Sequence, residues 1–419
     1  MNEERSAITV TPHALEGTIE APASKSYFQR AIAAALLAEG ESVLEGNGLC
    51  DDTRAALAVA EGLGARINLA NNTVKIHGGI SPIRTSVSCG ESGLCIRMFS
   101  PIAALYPGQV TLTAEGSLTK RPLGILEHPL TILGAHCVTN NGYAPVTVSG
   151  PLNGGYAIVD GSVSSQIISG LLMALPCAPK DSHLIVTGLT SRPYVQMTLA
   201  LVREFGITIH WHKNDTFAIP GGQHYIPCRY RIEGDWSGAA AFLVAGAIAG
   251  KVTVKGLNLH SVQADRLIVE ILTAAGSEIK TGEESVTAGG GALRPIIADL
   301  TDAPDLFPVL TALALTIPGT SRLSGVSRLR YKESDRAAVL MREFAKLGAV
   351  LTIEEDTLVI TGIDHRPTHP LIIESHGDHR IAMAAAIAAL RFGPLTITNA
   401  SCVTKSYPAF FEDLSKLPA

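Results

Sequence analysis

Apolar and polar positions along this chain repeat at long range. A small or glycine-rich start leads into an apolar helix pattern, then a short alternating strand and a loop. A one-sided second helix follows, ending near Leu-Gly or Phe-Gly, and an alternating hairpin closes on glycine. The pattern recurs six times, with starts near Ala23, Gly90, Gly161, Gly234, Thr301 and Gly377. The spacing of roughly 65 to 75 residues exceeds that of ordinary solenoid repeats, so each unit is a small fold of its own. The closing segments are the most alike. Leu57 to Gly79 carries Leu63-Gly64-Ala65 and a turn at Asn71-Asn72, and Leu130 to Gly150 carries Leu133-Gly134-Ala135 and a turn at Asn140-Asn141-Gly142. Thr198 to Gly222, Ile268 to Gly291 and Val339 to Gly362 are further copies. The sixth unit has its helix (Ile381 to Leu390), its strand (Leu395 to Ile397) and its final helix (Phe410 to Leu417), but no hairpin. Strand-like segments at Ala7 to Thr11 and Thr18 to Ala21 are expected to supply one, packing the N-terminal segment against the last repeats.

Helices such as Ala31 to Ala38 and Ala382 to Ala389 are apolar on every side and are expected to lie buried against mixed sheets, an α/β architecture. Their starts share a chemistry that core packing does not require. Ala23-Ser24-Lys25-Ser26, Gly90-Glu91-Ser92-Gly93, Gly161 to Gln166, Gly234 to Ser237 and Gly377-Asp378-His379-Arg380 place small residues where helix N–H groups are free. Lys25, Arg30, Arg97 and Arg380 add cations in or near the first turns. Convergent helix starts bearing positive side chains predict a cleft between domains for a multiply charged anion.

With 419 residues, 46% of them hydrophobic, the chain can fill two or three cores. The N-terminal residues are polar and acidic, and the longest uncharged apolar run, Ala239 to Gly250, is too short to span a bilayer. A cytoplasmic protein without membrane partners is expected. A net charge of −5 offers no general attraction for nucleic acid, so anion sites must be local. The cysteines at 50, 89, 95, 137, 177, 228 and 402 lack metal-ligand spacing, which predicts packed thiols with neither zinc nor a disulfide framework.

The densest chemistry lies in Arg330-Tyr331-Lys332-Glu333-Ser334-Asp335-Arg336, between a strand-like run at Thr320 to Ser327 and a helix at Ala337 to Leu347. Ser334 or Asp335 is placed to cap that helix. Cations crowd a helix end that ordinarily repels them, so an external phosphate or carboxylate would complete the site, while Glu333 beside Lys332 suits proton transfer. A solvated charged loop is the alternative. Ser164-Ser165-Gln166 can cap a helix or bind phosphate and sugar hydroxyls. Asp302 and Asp305, ahead of the apolar run Leu306 to Leu315, can cap that helix or act as a base. His365, His369, His376 and His379 lack the accompanying ligands of a metal site. No dinucleotide fingerprint, Gly-Lys-Ser/Thr phosphate loop or serine nucleophile elbow is present, which counts against the common cofactor enzymes.

Taken in order, Lys25-Ser26 with Arg30, Gly90 to Arg97, Arg121-Pro122, Gly161 to Gln166, Ser191 to Tyr194, Pro304-Asp305, Arg330 to Arg336, Gly377 to Arg380 and Lys405 to Pro408 resemble the enolpyruvyl transferases, most closely the branch acting on shikimate 3-phosphate. The resemblance implies two domains, each of three βαβαββ repeats, with the active site in the cleft between them. Residues 1–22 and 235–419 would form one domain, closed by the N-terminal hairpin, and 23–234 the inserted one. It also implies small-molecule substrates, shikimate 3-phosphate and phosphoenolpyruvate, a monomer, and chemistry with no metal or organic cofactor. By position, Lys25, Ser26, Arg30, Ser164, Ser165, Gln166, Ser191, Asp305 and Lys332 would hold shikimate 3-phosphate. Lys25, Gly93, Arg97, Arg121, Gln166, Arg336, Arg380 and Lys405 would hold phosphoenolpyruvate. Asp305 would take the acceptor proton, Glu333 and Lys25 would serve the methylene carbon, and His379 would bond nearby. Glu91, Leu94 and Arg328 depart from the family's usual asparagine, threonine and asparagine, which bears on inhibitor response and substrate contacts. The branch acting on UDP-N-acetylglucosamine is the rival; it has Lys-Asn in place of Lys25-Ser26 and commonly a cysteine in the loop occupied here by Thr119-Lys120-Arg121-Pro122. A noncatalytic anion-binding protein is the rival from another class.

Overall fold

The computed structural model describes residues 6–365 and 367–418; the outermost parts of the expected first domain, residues 1–5 and 419, lie outside the described residues. Two compact units result, one taking the chain through Pro22 and again from Glu233 onward, the other Ala23–Ile232. The division falls two residues before the expected boundary at 234/235. Glu233 accounts for the difference, since its carboxylate accepts hydrogen bonds from Asn258 Nδ2 (2.8 Å), Gln263 Nε2 (2.7 Å) and the Ser261 hydroxyl.

Within Ala23–Ile232, the middle repeat shows the common plan. Ser86–Ser88 runs parallel to Gln109–Thr113, which pairs antiparallel with Tyr143–Ser149, and His136–Asn140 lies outermost. The parallel pair needs a crossover, supplied by the helix Gly93–Ala103, while the hairpin turns at Asn141 and Gly142, both with positive φ. The third repeat builds the same order from Tyr156–Asp160, Ser182–Thr187, Thr216–Ile219 and His210–His212. The first repeat lacks a leading strand of its own; Arg229–Arg231, at the end of the unit, pairs parallel with Glu41–Glu45 and fills the place.

The other unit completes its sheets in a way the sequence pattern did not anticipate. Ala7–Val10 pairs antiparallel with Leu395–Thr398 of the sixth repeat. Leu15–Glu20, however, joins the fourth repeat, parallel to Gly250–Lys255 with Ile19 opposite Val254. The expected N-terminal hairpin is therefore two strands in two sheets. The physical reason is the open parallel edge of Gly250–Lys255, which has no leading strand of its own and buries Leu15 and Ile19 when the N-terminal segment occupies it. The fifth repeat is complete in Ile297–Asp299, Thr320–Ser324, Thr357–Thr361 and Val350–Glu354.

The apolar helices behave as their composition demands. Ala31 to Leu36 and Ala384 to Ala389 are fully buried, and Trp236–Ala249 runs beside the sheet of the fourth repeat with only its ends in contact with solvent. Alanine keeps these helices slim enough to pack backbone close to sheet. Their starts are closed by side chains: Ser92 accepts from Cys95 N–H, Ser164 from Gln166, Asp235 from Gly238, Asp335 from Ala338 and Asp378 from Arg380. The helix Phe307–Leu315 has no side-chain cap, so the capping role open to Asp302 and Asp305 is not the one taken.

Candidate active site

Two sets of polar side chains stand out, one in each unit. In the unit containing residues 233 onward, Arg336 is the organiser. It opens the helix Arg336–Ala345 and is only 1% exposed, yet carries a full charge. Its Nη1 donates to Asp305 Oδ1 at 2.6 Å, its Nη2 to Glu333 Oε2 at 2.7 Å and its Nε to Asp378 Oδ2 at 2.8 Å. Lys332 Nζ shares Asp305 Oδ1 at 3.3 Å, and the Ser334 hydroxyl donates to Asp378 Oδ2 at 3.0 Å. Asp378 also accepts the Arg380 N–H at 3.0 Å, so one carboxylate caps a helix and anchors the arginine. Asp302 makes none of these contacts.

The arrangement follows from charge and burial. Burial alone would raise the Asp305 carboxyl, but Lys332, Arg336 and Arg380 outweigh it and hold the group well below the usual carboxylate range. Burial lowers Lys332, partly offset by Asp305. Arg336 is held well above its ordinary value, since Asp378, Glu333 and Asp305 overcome its desolvation. Asp305 is thus an ionised carboxylate at neutral pH, set between two cations. His379 and Arg380 are buried at the start of the helix His379–Phe392, and Lys405 donates to the Gly377 carbonyl at 3.2 Å. The segment before them is braced: His376, in a left-handed conformation (φ 53°), contacts Glu343 Oε1 at 2.9 Å, and Ser375 Oγ donates to the Asn399 carbonyl at 3.1 Å.

In Ala23–Ile232 the cations gather on helix starts. Lys25 pairs with Asp52 at 3.0 Å, and Ser26 offers its carbonyl to Arg30 Nη1 at 2.9 Å. Arg30, 1% exposed, also donates to Thr198 Oγ1 (2.9 Å), Ser169 Oγ (3.1 Å) and the Tyr194 carbonyl (3.3 Å). All of these acceptors are neutral. Burial pushes its guanidinium down to about 10, and the charge that persists favours a nearby anion. Arg97 donates to the Gly93 carbonyl (3.2 Å), Gln166 Oε1 (3.0 Å) and the Pro122 carbonyl (2.8 Å), which joins three of the expected positions. Arg121 lies against the same glycine: a Cβ on Gly93 would stand 2.5 Å from Arg121 Nη1 and 2.9 Å from Arg97 Nη1. Ser165 is buried beside its capping neighbour Ser164, and Ser191 begins the helix Arg192–Glu204 in the left-handed region at φ 55°. A serine held there marks a backbone over-determined by its surroundings.

Glu91 turns its carboxylate to the Ser117 N–H (3.0 Å) and hydroxyl (2.9 Å), and Ser92 caps the helix. Leu94 is buried. Sequence reasoning missed Asp378 and Asp265 as members of the first set. Asp378 had a signal, its place before His379-Arg380, whereas Asp265 lies in the short 3-10 helix Ala264–Leu267, where no periodicity marks it.

The fold is that of the enolpyruvyl transferases. At the level of fold the chain matches the enolpyruvyl transferase NikO from Streptomyces tendae with a TM-score of 0.77 at 17% identity, covering 98% of this chain and 97% of that one. The EPSP synthase of Acinetobacter baumannii matches with a TM-score of 0.82 at 28% identity, over 98% of both chains. A 3-phosphoshikimate 1-carboxyvinyltransferase of Methanocorpusculum labreanum is 37% identical over 418 residues, again 98% of both chains. The model of the family EPSP synthase (3-phosphoshikimate 1-carboxyvinyltransferase) matches residues 10–414, and this chain belongs to that family.

Proposed function

We infer that the protein transfers the enolpyruvyl group of phosphoenolpyruvate to the 5-hydroxyl of shikimate 3-phosphate, releasing inorganic phosphate, a step of the shikimate pathway to aromatic amino acids. The observation that carries the reading is the Arg336 constellation, in a chain that the family model matches over residues 10–414: an ionised carboxylate, Asp305, set among Lys332, Arg336 and Arg380. Protonating the methylene carbon of phosphoenolpyruvate makes its C2 electrophilic. The acceptor oxygen attacks as Asp305 takes its proton. Loss of a methyl proton from the resulting tetrahedral ketal then expels phosphate. Glu333 and Lys25 serve the methylene carbon, with His379 bonding nearby. Lys25, Ser26, Arg30, Ser164, Ser165, Gln166, Ser191, Asp305 and Lys332 bind shikimate 3-phosphate. Gly93, Arg97, Arg121, Gln166, Arg336, Arg380 and Lys405, with Lys25, bind phosphoenolpyruvate.

The protein works as a cytoplasmic monomer in this reading; among the described residues no helix is long and apolar enough to cross a membrane. Phosphate release is the decisive assay. Release is expected from phosphoenolpyruvate with shikimate 3-phosphate and not with UDP-N-acetylglucosamine. Release with the nucleotide sugar alone would move the chain to the other branch, and release with neither would make it an anion-binding protein.

Gly93 tests the phosphoenolpyruvate assignment separately. A methyl group there meets Arg121 and Arg97, two nearly buried guanidinium groups with little room to retreat. Gly93→Ala is expected to weaken phosphoenolpyruvate by about 1–3 kcal/mol, seen as a raised KM with a smaller change in kcat. An unchanged KM at saturating shikimate 3-phosphate would remove Arg97 and Arg121 from that role.

A further inference from the structure

A second carboxyl group accompanies Asp305. Asp265 is 1% exposed; its Oδ2 accepts a hydrogen bond from the Ser237 hydroxyl, and its Oδ1 is sealed from solvent with no hydrogen-bond partner among the described residues. A buried carboxylate oxygen without a donor is costly to keep ionised. Arg380, whose Nε is likewise buried without a partner, and Asp305 both act on Asp265 electrostatically, as does Asp235 at the start of the helix Trp236–Ala249. Nothing in the reaction as described above uses Asp265.

We propose that Asp265 is a positioning residue for the transfer: a buried carboxyl, held by Ser237, that shares a proton equilibrium with Asp305 and thereby sets how readily Asp305 accepts the proton of the acceptor hydroxyl. The inference rests on Asp305 being the base. Burial first, then the Asp305 charge and to a lesser extent Asp235, push the Asp265 carboxyl up to about 7, against the opposing Ser237 hydrogen bond and Arg380 charge. The interaction is mutual: ionised Asp265 raises the proton affinity of Asp305 as Asp305 raises that of Asp265. This answers a difficulty in the site, because Lys332 and Arg336 leave Asp305 a weak base. When Asp265 is ionised, Asp305 is the better proton acceptor, and the proton taken from the hydroxyl relieves the repulsion between the two carboxylates.

The sign of the pH dependence follows. Turnover should rise as Asp265 ionises near neutrality. Asp265→Asn keeps the shape and an acceptor for Ser237 but has no charge to give, so its kcat should lack that rise and lie about three- to tenfold below the parent above neutral pH. Ser237→Ala removes the bond that favours the ionised form, so the rise should persist but move to higher pH. Difference infrared spectroscopy on the full chain reads the same group without turnover: a protonated-carboxyl band titrating near neutrality, absent from Asp265→Asn and displaced upward in Ser237→Ala. If Asp265→Asn fails to fold, the Ser237→Ala profile and band decide. Wild-type pH profiles in both variants, with Asp305→Asn inactive, would overturn this role and leave the base assignment standing. Near-normal turnover in Asp305→Asn would bring down the base assignment and this inference together.

Discussion

Replacing Arg336 with alanine should both abolish turnover and unfold the unit around it at lower temperature. The guanidinium satisfies Asp305, Glu333 and Asp378 in a site 1% exposed, and Asp378 is itself fully buried. Removing the cation leaves three carboxylates facing one another, and breaking a buried pair by deleting one partner costs about 3–5 kcal/mol. For a unit of this size a loss of that order corresponds to a melting temperature lower by about 10 °C. Activity should fall about a thousandfold or more, because in the proposed assignment the base loses its orientation together with one cation of the phosphoenolpyruvate site. Arg336→Lys separates the two effects. Lysine restores a charge but not the planar fork that meets three acceptors at once, so it should recover much of the melting temperature and little of the turnover. An alanine variant that melts with the parent, or a lysine variant with near-normal turnover, would contradict this account of the site.

Much of the architecture was legible because it is written locally. Strand alternation, Leu-Gly helix ends and asparagine turns marked the hairpins at 66–77 and 136–149 by their element order and their turns, and repetition supplied the fold class that the structural neighbours share. Choice of partner was less legible. Alternation placed a strand at Thr18 to Ala21, three residues late at its start, and did not show that the observed strand Leu15–Glu20 would complete the sheet of Gly250–Lys255 rather than turn back on Ala7–Val10. The pairing taken buries Leu15 and Ile19, a gain that alternation within one segment does not display. The site shows the same division. Helix caps could be read from Ser164 and Asp335, whereas the union of Asp305 and Asp378 on Arg336 joins segments far apart in the chain. Asp305 illustrates the limit best: an acidic residue just ahead of an apolar helix is ordinarily a cap, and only the proximity of Lys332 and Arg336 makes it something else.

Asp305→Asn should remove most of the chemistry and little of the binding. The amide is nearly isosteric and can turn its oxygen toward Lys332 and Arg336, which hold the carboxylate at 3.3 and 2.6 Å, so the site should keep its shape. It cannot accept the acceptor proton. Loss of a positioned general base costs about 10²–10⁴ in rate, and because that proton moves only in the transition state the deficit should appear in kcat, with the affinity for shikimate 3-phosphate changed only a few-fold. Lys332 and Arg336 hold Asp305 well below the usual carboxylate range, so it remains ionised throughout the working pH range and the deficit should not be recovered by raising the pH. Calorimetric binding of shikimate 3-phosphate alongside single-turnover kinetics measures the two quantities independently. A variant that turns over within about tenfold of the parent would show that another group, with Glu333 and Lys25 the nearest in chemistry, takes the hydroxyl proton. A variant that loses binding in proportion to turnover would instead make Asp305 a ligand for the acceptor and no more, since an interaction made equally in the ground and transition states lowers affinity without being the source of the chemical rate.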